Sequence, residues 1–414
     1  MVDDSDLKPW TRAMLGGSVL EPYISDYRSR LIKRRYAATT QRGYLYCVGH
    51  FARWLTAEKI GLDGINEVAG GRFVAEHLPL CACPHPVRRD PREIKAALSH
   101  LYEVLRASAP VATHSADHIR SELSSFDRYM DATCGLAAKT RYHRVLILTR
   151  FLTSRFGSDP ITTSAITAAD VQQFVLGGHA PYSAGTVSVM ADAVRCYLRF
   201  RELAGDSIGT LGATIPRPAH WRLATLPEVL SDAEIQQLLD SFDGSFPSAR
   251  RAYAMVRCLT DLGLRASEVI HLRLDDIDWH AGTLRLTKGK SRRADVLPLP
   301  AETGRAIADY LRIERPPTAN RAVFVRHIAP YDEPIGIGVL QIAVNKAYRR
   351  CGWKRSGVHI LRHSVASRLL RHGTPLKEIA DVLRHRSLNT TAIYAKVDTG
   401  RLFAVALPWP GRTS

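Results

Sequence analysis

Apolar residues return at three- and four-residue steps through most of the first 206 residues, and that period reads as amphipathic helix. A first region, about 21 to 108, holds YLYCVGHFARWL and IKAALSHLYEVLRASA. A second, about 113 to 206, holds HIRSELSSFDRYM, TRYHRVLILTRFLTSRFG, ITAADVQQFVL and TVSVMADAVRCYLRFREL. The two regions echo each other at an offset of 97 residues. Val48 then falls on Val145, Arg53 on Arg150 and Trp54 on Phe151, and a segment like INEV or ITAADV follows in each. Two readings stand open: tandem helical modules, or the shared period of any amphipathic helix.

The stretch TIPRPAHWRLATLPEVL, residues 214 to 230, carries Pro216, Pro218 and Pro227 and reads as an extended linker. Beyond it the pattern changes. Ser231 and Glu234 form a capping box ahead of Ile235, Leu238, Leu239 and Phe242. A second helix carries Ala252, Met255, Val256 and Leu259, with Gly263 near its end. TLRLT and DVLPL read as strands joined by the basic turn KGKSRRA, and AVFV as a third strand. Helices are expected near 301–314, 336–350, 360–372, 375–384 and 388–397. The expected class is α+β, mainly α: helical modules, then a mixed domain with a small antiparallel sheet. A chain of 414 residues fits two to four such domains.

Lysine and arginine number 57 against 40 acidic residues, a formal charge of +17. Such a surface attracts phosphate backbones and releases their counterions. No stretch has the apolar run of a membrane span, and MVDDSDLKPW lacks a signal-peptide core, so a cytoplasmic, DNA-associated protein with no membrane partner is expected. Seven scattered cysteines fit a reduced compartment better than a disulfide framework. His77, Cys81, Cys83 and His85 cluster in EHLPLCACPHP. They are zinc-type ligands, but C-x-C among prolines is not a standard spacing. Zinc and a proline-stiffened loop of ordinary thiols both stay open, and no metal ligand is assigned.

Four segments carry chemistry: LGLRASEV (262–269), LTKGKSRR (286–293), HILRHS (359–364) and LRHRSLNTTAIYAKV (383–397). Any one could occur by chance. All four stand in order, closing with Tyr394 nine residues after His385. Cutting a phosphodiester without water needs a protein nucleophile that can leave again. A tyrosine hydroxyl can attack phosphorus and expel the 5′ oxygen, and the 3′-phosphotyrosine conserves the ester bond. Guanidinium groups suit the charge that builds on the non-bridging oxygens.

In these segments the chain resembles the tyrosine recombinase (phage integrase) family, well over residues 225–400 and loosely before that. The resemblance implies the following roles. Tyr394 is the nucleophile, Arg265 and Arg362 clamp the phosphate, and Glu268 holds Arg265 in place. His359 takes the tyrosine proton or binds a phosphate oxygen. His385 donates to the phosphate. Lys288, on the turn between two strands, is the general acid. Lys290, Arg292 and Arg293 contact DNA backbone. His363, at another angle on its helix, is read as structural. The family commonly has glycine where Arg384 stands, so Arg384 must turn left-handed or lengthen its helix by a residue. Asp275, Asp276 and Asp278 fall where the family turns into a strand, which disfavours a paired-metal nuclease. No phosphate-cradling G-x-x-x-x-G-K-[ST] loop occurs.

The implied domains are an N-terminal helical region (1–108) that adds a DNA contact, a helical core-binding, SAM-like domain (113–206), a linker (207–230), a catalytic domain (231–401) and a tail (402–414) that docks on a neighbour. The implied activity is site-specific recombination or integration without metal, ATP or other cofactor. Double-stranded DNA is the partner, a homotetramer synapses two sites, and accessory recombinases are further partners. A transposon-type role fits the extra N-terminal region. A type IB topoisomerase and a non-catalytic accessory factor are the rivals.

Overall fold

The computed structural model describes residues 7–84, 87–108, 118–157, 159–177, 182–208, 211–217, 227–286, 295–385 and 387–395. The chain divides into two compact units: Met1–Ala109 together with Thr225–Ser414, and Pro110–Ala224. Among the described residues, no helix is long and apolar enough to cross a membrane.

The N-terminal part of the first unit contains α1 (Pro9–Leu15), α2 (Ile24–Lys33), α3 (Ala38–Ala57), α4 (Glu67–Arg72) and α5 (Pro91–Ser108). A π-type turn, Phe73–His77, continues α4. The period seen in the sequence is the buried face. Helix α3 buries Val48, Phe51, Ala52 and Leu55, and α5 buries Ile94, Ala97, Leu98, Leu101 and Val104. The Tyr27 hydroxyl donates to the Ala97 carbonyl at 3.1 Å, tying α2 to α5. Arg34 pairs with Glu333, Arg35 pairs with Asp332, and the Arg35 guanidinium sits 5.1 Å from the Tyr331 ring centre. The region that the sequence sets beside the second helical segment thus belongs to the same unit as the C-terminal part. These contacts are solvent-facing and individually weak.

The second unit contains α6 (His118–Ala132), α7 (Ala138–Phe156), α8 (Ala168–Leu176), α9 (Ala184–Leu203) and the short α10 (Leu211–Thr214). Its core gathers Phe126, Met130, Leu148, Phe151, Leu152, Val194 and Tyr197. Thr167 and Asp170 cap α8 reciprocally, and Gly177 ends it in the left-handed region at φ 86°. The two echoing segments lie within α3 and α7. Trp54 and Phe151 are buried, while Arg53 and Arg150 are exposed. The start of the linker is docked on this unit, since Arg195 donates to the carbonyls of Ile215 and Pro216. Residues 218–226 lie outside the described residues.

The C-terminal part begins at Leu230, whose amide donates to Ser364 Oγ at 2.7 Å. The expected capping box is present: Ser231 and Glu234 start α11 (Asp232–Asp240). Then come α12 (Ala249–Thr260) and α13 (Ala266–His271). Strands β1 (Ile277–Asp278), β2 (Thr283–Leu286) and β3 (Asp295–Pro298) form an antiparallel sheet in that order. Leu284 and Leu286 point into the core and Arg285 points out, the alternation of a one-sided sheet. Helices α14 (Ala301–Asp309), α15 (Ile337–Arg350), α16 (His359–Arg371), α17 (Leu376–Val382) and α18 (Leu388–Ala395) complete it.

AVFV is not a strand of this sheet. Residues 322–325 are buried, but they pair only through single bridges, Arg273 with Ala322 and Val325 with Pro334. Four apolar residues signal burial, and the partner a strand needs runs alongside for only a residue at a time. The acidic run is structural. Asp276 accepts from the Arg273 amide, Asp278 from the amides of His280 and Ala281, and Asp275 pairs with Arg321.

Candidate active site

The site is built on the C-terminal end of α17. Leu383 closes the helix, and the His385 amide bonds back to the Ala380 carbonyl at 2.8 Å while the Arg384 amide reaches Asp381 at 3.0 Å. This is the paired closure that usually needs glycine in the left-handed position. Arg384 occupies it with φ 54°. Of the two courses open to Arg384, the chain takes the left-handed turn.

Two guanidinium groups converge on this turn. Arg362, on α16, is buried and donates to the carbonyls of Gly263 and Leu383. Arg265, immediately before α13, donates through Nη2 to the Arg384 carbonyl at 2.7 Å. Its Nη1 and its backbone amide both reach the Glu268 carboxylate at 2.7 Å. Gly263 has no freedom to change. Its φ is 58°, and an added Cβ would sit 2.8 Å from Leu383 Cδ2.

Glu268 is therefore shared. It accepts from Arg265 and from Arg384 Nη2 at 2.8 Å, and both Glu268 and the Arg384 side chain are almost fully enclosed. Burial alone would raise the Glu268 carboxyl. Arg384 and the hydrogen bonds from Arg265 outweigh it and hold the group below its ordinary range. Burial, with Arg265 and Arg384 nearby, lowers the Arg362 guanidinium, which stays a cation at neutral pH.

Tyr394, on α18, is buried at 2% exposure in a small core with Val365, Leu370, Ile379 and Leu383. Burial raises its pKa, and Arg362 partly offsets that. Its hydroxyl lies 2.7 Å from His363 Nδ1. The His385 ring stacks near-parallel to the Tyr394 ring, with centres 6.4 Å apart, and His385 Nδ1 lies 2.7 Å from Thr391 Oγ1. Burial and the nearby cations push His363 and His385 down to about 4, so both rings are neutral at pH 7. His359 is exposed at the start of α16, its ring centre 6.2 Å from that of His363.

Arg265, Glu268, Arg362, His385 and Tyr394, far apart in sequence, are thus joined in one bonded and stacked network, with His359 at its edge. Lys288, Lys290, Arg292, Arg293 and the tail at 402–414 lie outside the described residues. His363, read from the sequence as structural, lies against the Tyr394 hydroxyl. A residue next to Arg362 does point about 100° away, but α18 packs at that angle and brings Tyr394 to it. His363 follows His359 by four residues and shares its helix face, but which element meets that face is set by packing. Thr391 stands in a T-x-x-Y setting before Tyr394, and its contact with His385 is likewise set by packing.

The phage integrase family model matches residues 228–401. The chain is 36% identical over 396 residues to y4rA of Sinorhizobium fredii, an integrase/recombinase by name, covering 94% of each. It is 29% identical over 290 residues to the tyrosine recombinase XerD of Lacticaseibacillus casei, covering 68% of this chain and 96% of that one. Among solved structures, XerH recombinase in a post-cleavage complex with palindromic difH superposes with a TM-score of 0.53 at 19% identity, over 81% of this chain and 93% of that one. A lambda integrase dimer on a COC' core site gives 0.51 at 17% identity, over 71% and 98%. The likeness at such low identity is one of fold, whereas y4rA runs alongside nearly the whole chain: this protein belongs to the phage integrase family and is a site-specific recombinase of the tyrosine class.

Proposed function

We propose that this recombinase cuts and rejoins duplex DNA through a 3′-phosphotyrosine on Tyr394, with no metal or nucleotide in the reaction. One observation carries the reading. Both guanidinium groups, Arg265 and Arg362, are anchored to the backbone at 383–384, directly before the histidine whose ring stacks on Tyr394. Two fixed cations beside a tyrosine suit a phosphorane whose charge builds on its non-bridging oxygens.

The roles divide as follows. Arg265 and Arg362 bind the scissile phosphate, with Glu268 holding Arg265 against the turn. Where the Thr391 hydroxyl donates to His385 Nδ1, the neutral ring carries its proton on Nε2 and donates it to a phosphate oxygen. His359, on the exposed edge, binds a phosphate oxygen or takes the tyrosine proton. His363, neutral, accepts the Tyr394 O–H at Nδ1 and positions the phenol until the phosphate is seated. Lys288 protonates the departing 5′ oxygen, and Lys290, Arg292 and Arg293 grip the backbone beside it. The 5′ hydroxyl later attacks the phosphotyrosine, the Tyr394 oxygen leaves with the ester energy conserved, and the strands rejoin. Double-stranded DNA is the substrate. Four subunits, coupled by residues 402–414, synapse two sites, in a transposon-type integration.

Covalent trapping tests the reading. Wild type and Tyr394→Phe are incubated in EDTA with nicked duplexes from the ends of the element that encodes the protein. Denaturing gels should show a protein–DNA band with wild type alone, while both proteins bind the DNA equally. Binding by both with no covalent band on a proven site would replace the enzyme reading with that of an accessory factor.

A further inference from the structure

Far from the arginine pocket in sequence, four soft ligand atoms converge. They belong to His50, His77, Cys81 and Cys83, and all lie within 4.8 Å of one another. We propose that these residues bind one zinc ion as a closed Cys2His2 site that staples the N-terminal region.

The distances fit the ion. Zinc–nitrogen bonds of about 2.0–2.1 Å and zinc–sulfur bonds of about 2.3 Å in a tetrahedron place ligand atoms roughly 3.3–3.8 Å apart. His50 Nε2 is 3.1 Å from His77 Nε2 and 3.3 Å from Cys81 Sγ, and Cys83 Sγ is 3.6 Å from His77 Nε2.

Hydrogen bonding alone does not account for this grouping. His50 Nδ1 lies 3.0 Å from the Arg88 carbonyl, which can only accept, so Nδ1 carries the proton. Nε2 then has one lone pair, yet both His77 Nε2 and Cys81 Sγ approach it. A metal ion uses that lone pair once and draws the other donors to itself. The bond to Arg88 is also what a zinc-bound histidine needs, since it fixes the tautomer and aims the ring. The Cys83 amide reaches Cys81 Sγ at 3.4 Å, a donor suited to a thiolate.

The surroundings hold the donors still. His50 is fully buried on α3. The Phe73 ring meets His50 edge-on at 5.0 Å and stacks on His77 at 5.1 Å. Two thiolates and two imidazoles select zinc over hard cations, and four protein ligands leave no open position for a substrate. The site is therefore structural. It ties α3 to the turn after α4 and to the Cys81–Cys83 segment. The sequence cluster suggested His85 as the fourth member, but His85 lies outside the described residues, and the structure supplies His50 from 27 residues upstream of His77.

Elemental analysis of the full-length protein, purified without chelator, should find about one zinc ion per chain. The Cys81→Ser, Cys83→Ser double variant should have lost it, while Cys134→Ser keeps it. Wild type carries a test that does not depend on how the double variant folds. Stripped of metal and titrated with cobalt(II), it should develop tetrahedral d–d bands and a thiolate-to-metal charge-transfer band. Zinc should then bleach them, and Cys81 and Cys83 should be shielded from alkylation until a chelator is added. A wild-type protein that yields no such spectrum and no metal-dependent shielding overturns the site, as does equal zinc in the double variant.

Discussion

Two clusters of polar side chains hold this protein's chemistry, and they are satisfied in opposite ways. In the arginine pocket, three guanidinium groups spend their donors on one carboxylate and on the carbonyls at the end of α17. In the His–Cys cluster, two imidazoles and two thiols crowd together with fewer hydrogen-bonding solutions than donors. The first is a set of hard cations fixed by the protein itself and preorganised for an anion. The second is a set of soft donors arranged as if around a cation. Here the internally paired cluster is read as the seat of a transient ligand, and the unpaired one as the seat of a resident ion.

The sharpest way to break that contrast is to remove the internal pairing. Glu268→Ala leaves Arg384 enclosed without its counter-charge and Arg265 without its brace. Removing one partner of a buried pair costs about 3–5 kcal/mol, so the melting temperature should fall by many degrees. Differential scanning calorimetry checks this, and an unchanged melting temperature would show that the pocket is not held by Glu268. Zinc content should not change, because the two clusters are separately built. Arg362→Lys comes next. A lysine keeps the charge and loses the paired donors, and the loss of one such transition-state contact costs about 10²–10³ in rate. The measurement is single-turnover cleavage of a nicked duplex at saturating protein, and a rate within a few-fold of wild type would remove Arg362 from the phosphate clamp.

A pH series run with and without chelator separates the two clusters. His363 and His385 titrate near 4 in the folded protein and near 6.5 when unfolded. Between those values the unfolded chain binds more protons, so stability is fully present above about pH 6.5 and is lost as the pH falls toward 4. From pH 7 to 5 the two together should cost about 1–2 kcal/mol by urea titration, allowing for solvent screening. The loss should persist with metal chelated, and its disappearance in chelator would place the titration in the His–Cys cluster instead. A smaller effect separates positioning from packing at His363. His363→Ala should slow cleavage about tenfold, the worth of roughly one hydrogen bond. His363→Asn, whose amide oxygen can stand where Nδ1 stands, should restore most of the rate. No rescue by asparagine would mean that His363 only fills space.

The same contrast explains what could be read from the residues alone. Arg265, Arg362, His385 and Tyr394 could be grouped from the sequence because each lies in a short segment that resembles a family motif, and helices such as α5 could be read because they bury a stripe at helical spacing. His50 was not, because a histidine inside an apolar helical stripe has the same signature as a packing residue, and its partners are a turn and a loop away. AVFV shows the converse: its burial was readable, but whether a strand runs beside it depends on residues 273 and 334, which no local pattern links to it. His363 and Thr391 depended on the angle between α16 and α18, a property of packing rather than of either helix.

The smallest prediction is the one whose sign is least obvious. Arg384 occupies a left-handed position where glycine costs nothing, and a side chain there costs roughly 1 kcal/mol. Arg384→Gly recovers that strain. It also removes an enclosed ion pair with Glu268, whose net worth is small because desolvating both charges offsets their attraction. Glu268 keeps its two bonds from Arg265, so it is not left as an orphaned charge, in contrast to the alanine substitution that strands Arg384. Stability should therefore change by less than about 1 kcal/mol in either direction. The rate should respond more than the stability. Arg384 braces the carboxylate that aims Arg265, and its own carbonyl receives Arg265 Nη2. A freer turn should slow cleavage a few-fold and leave DNA binding intact, as read by single-turnover kinetics beside a gel-shift titration. A variant that cleaves as fast as wild type would show that backbone geometry at 384, not the side chain, sets the aim of the clamp.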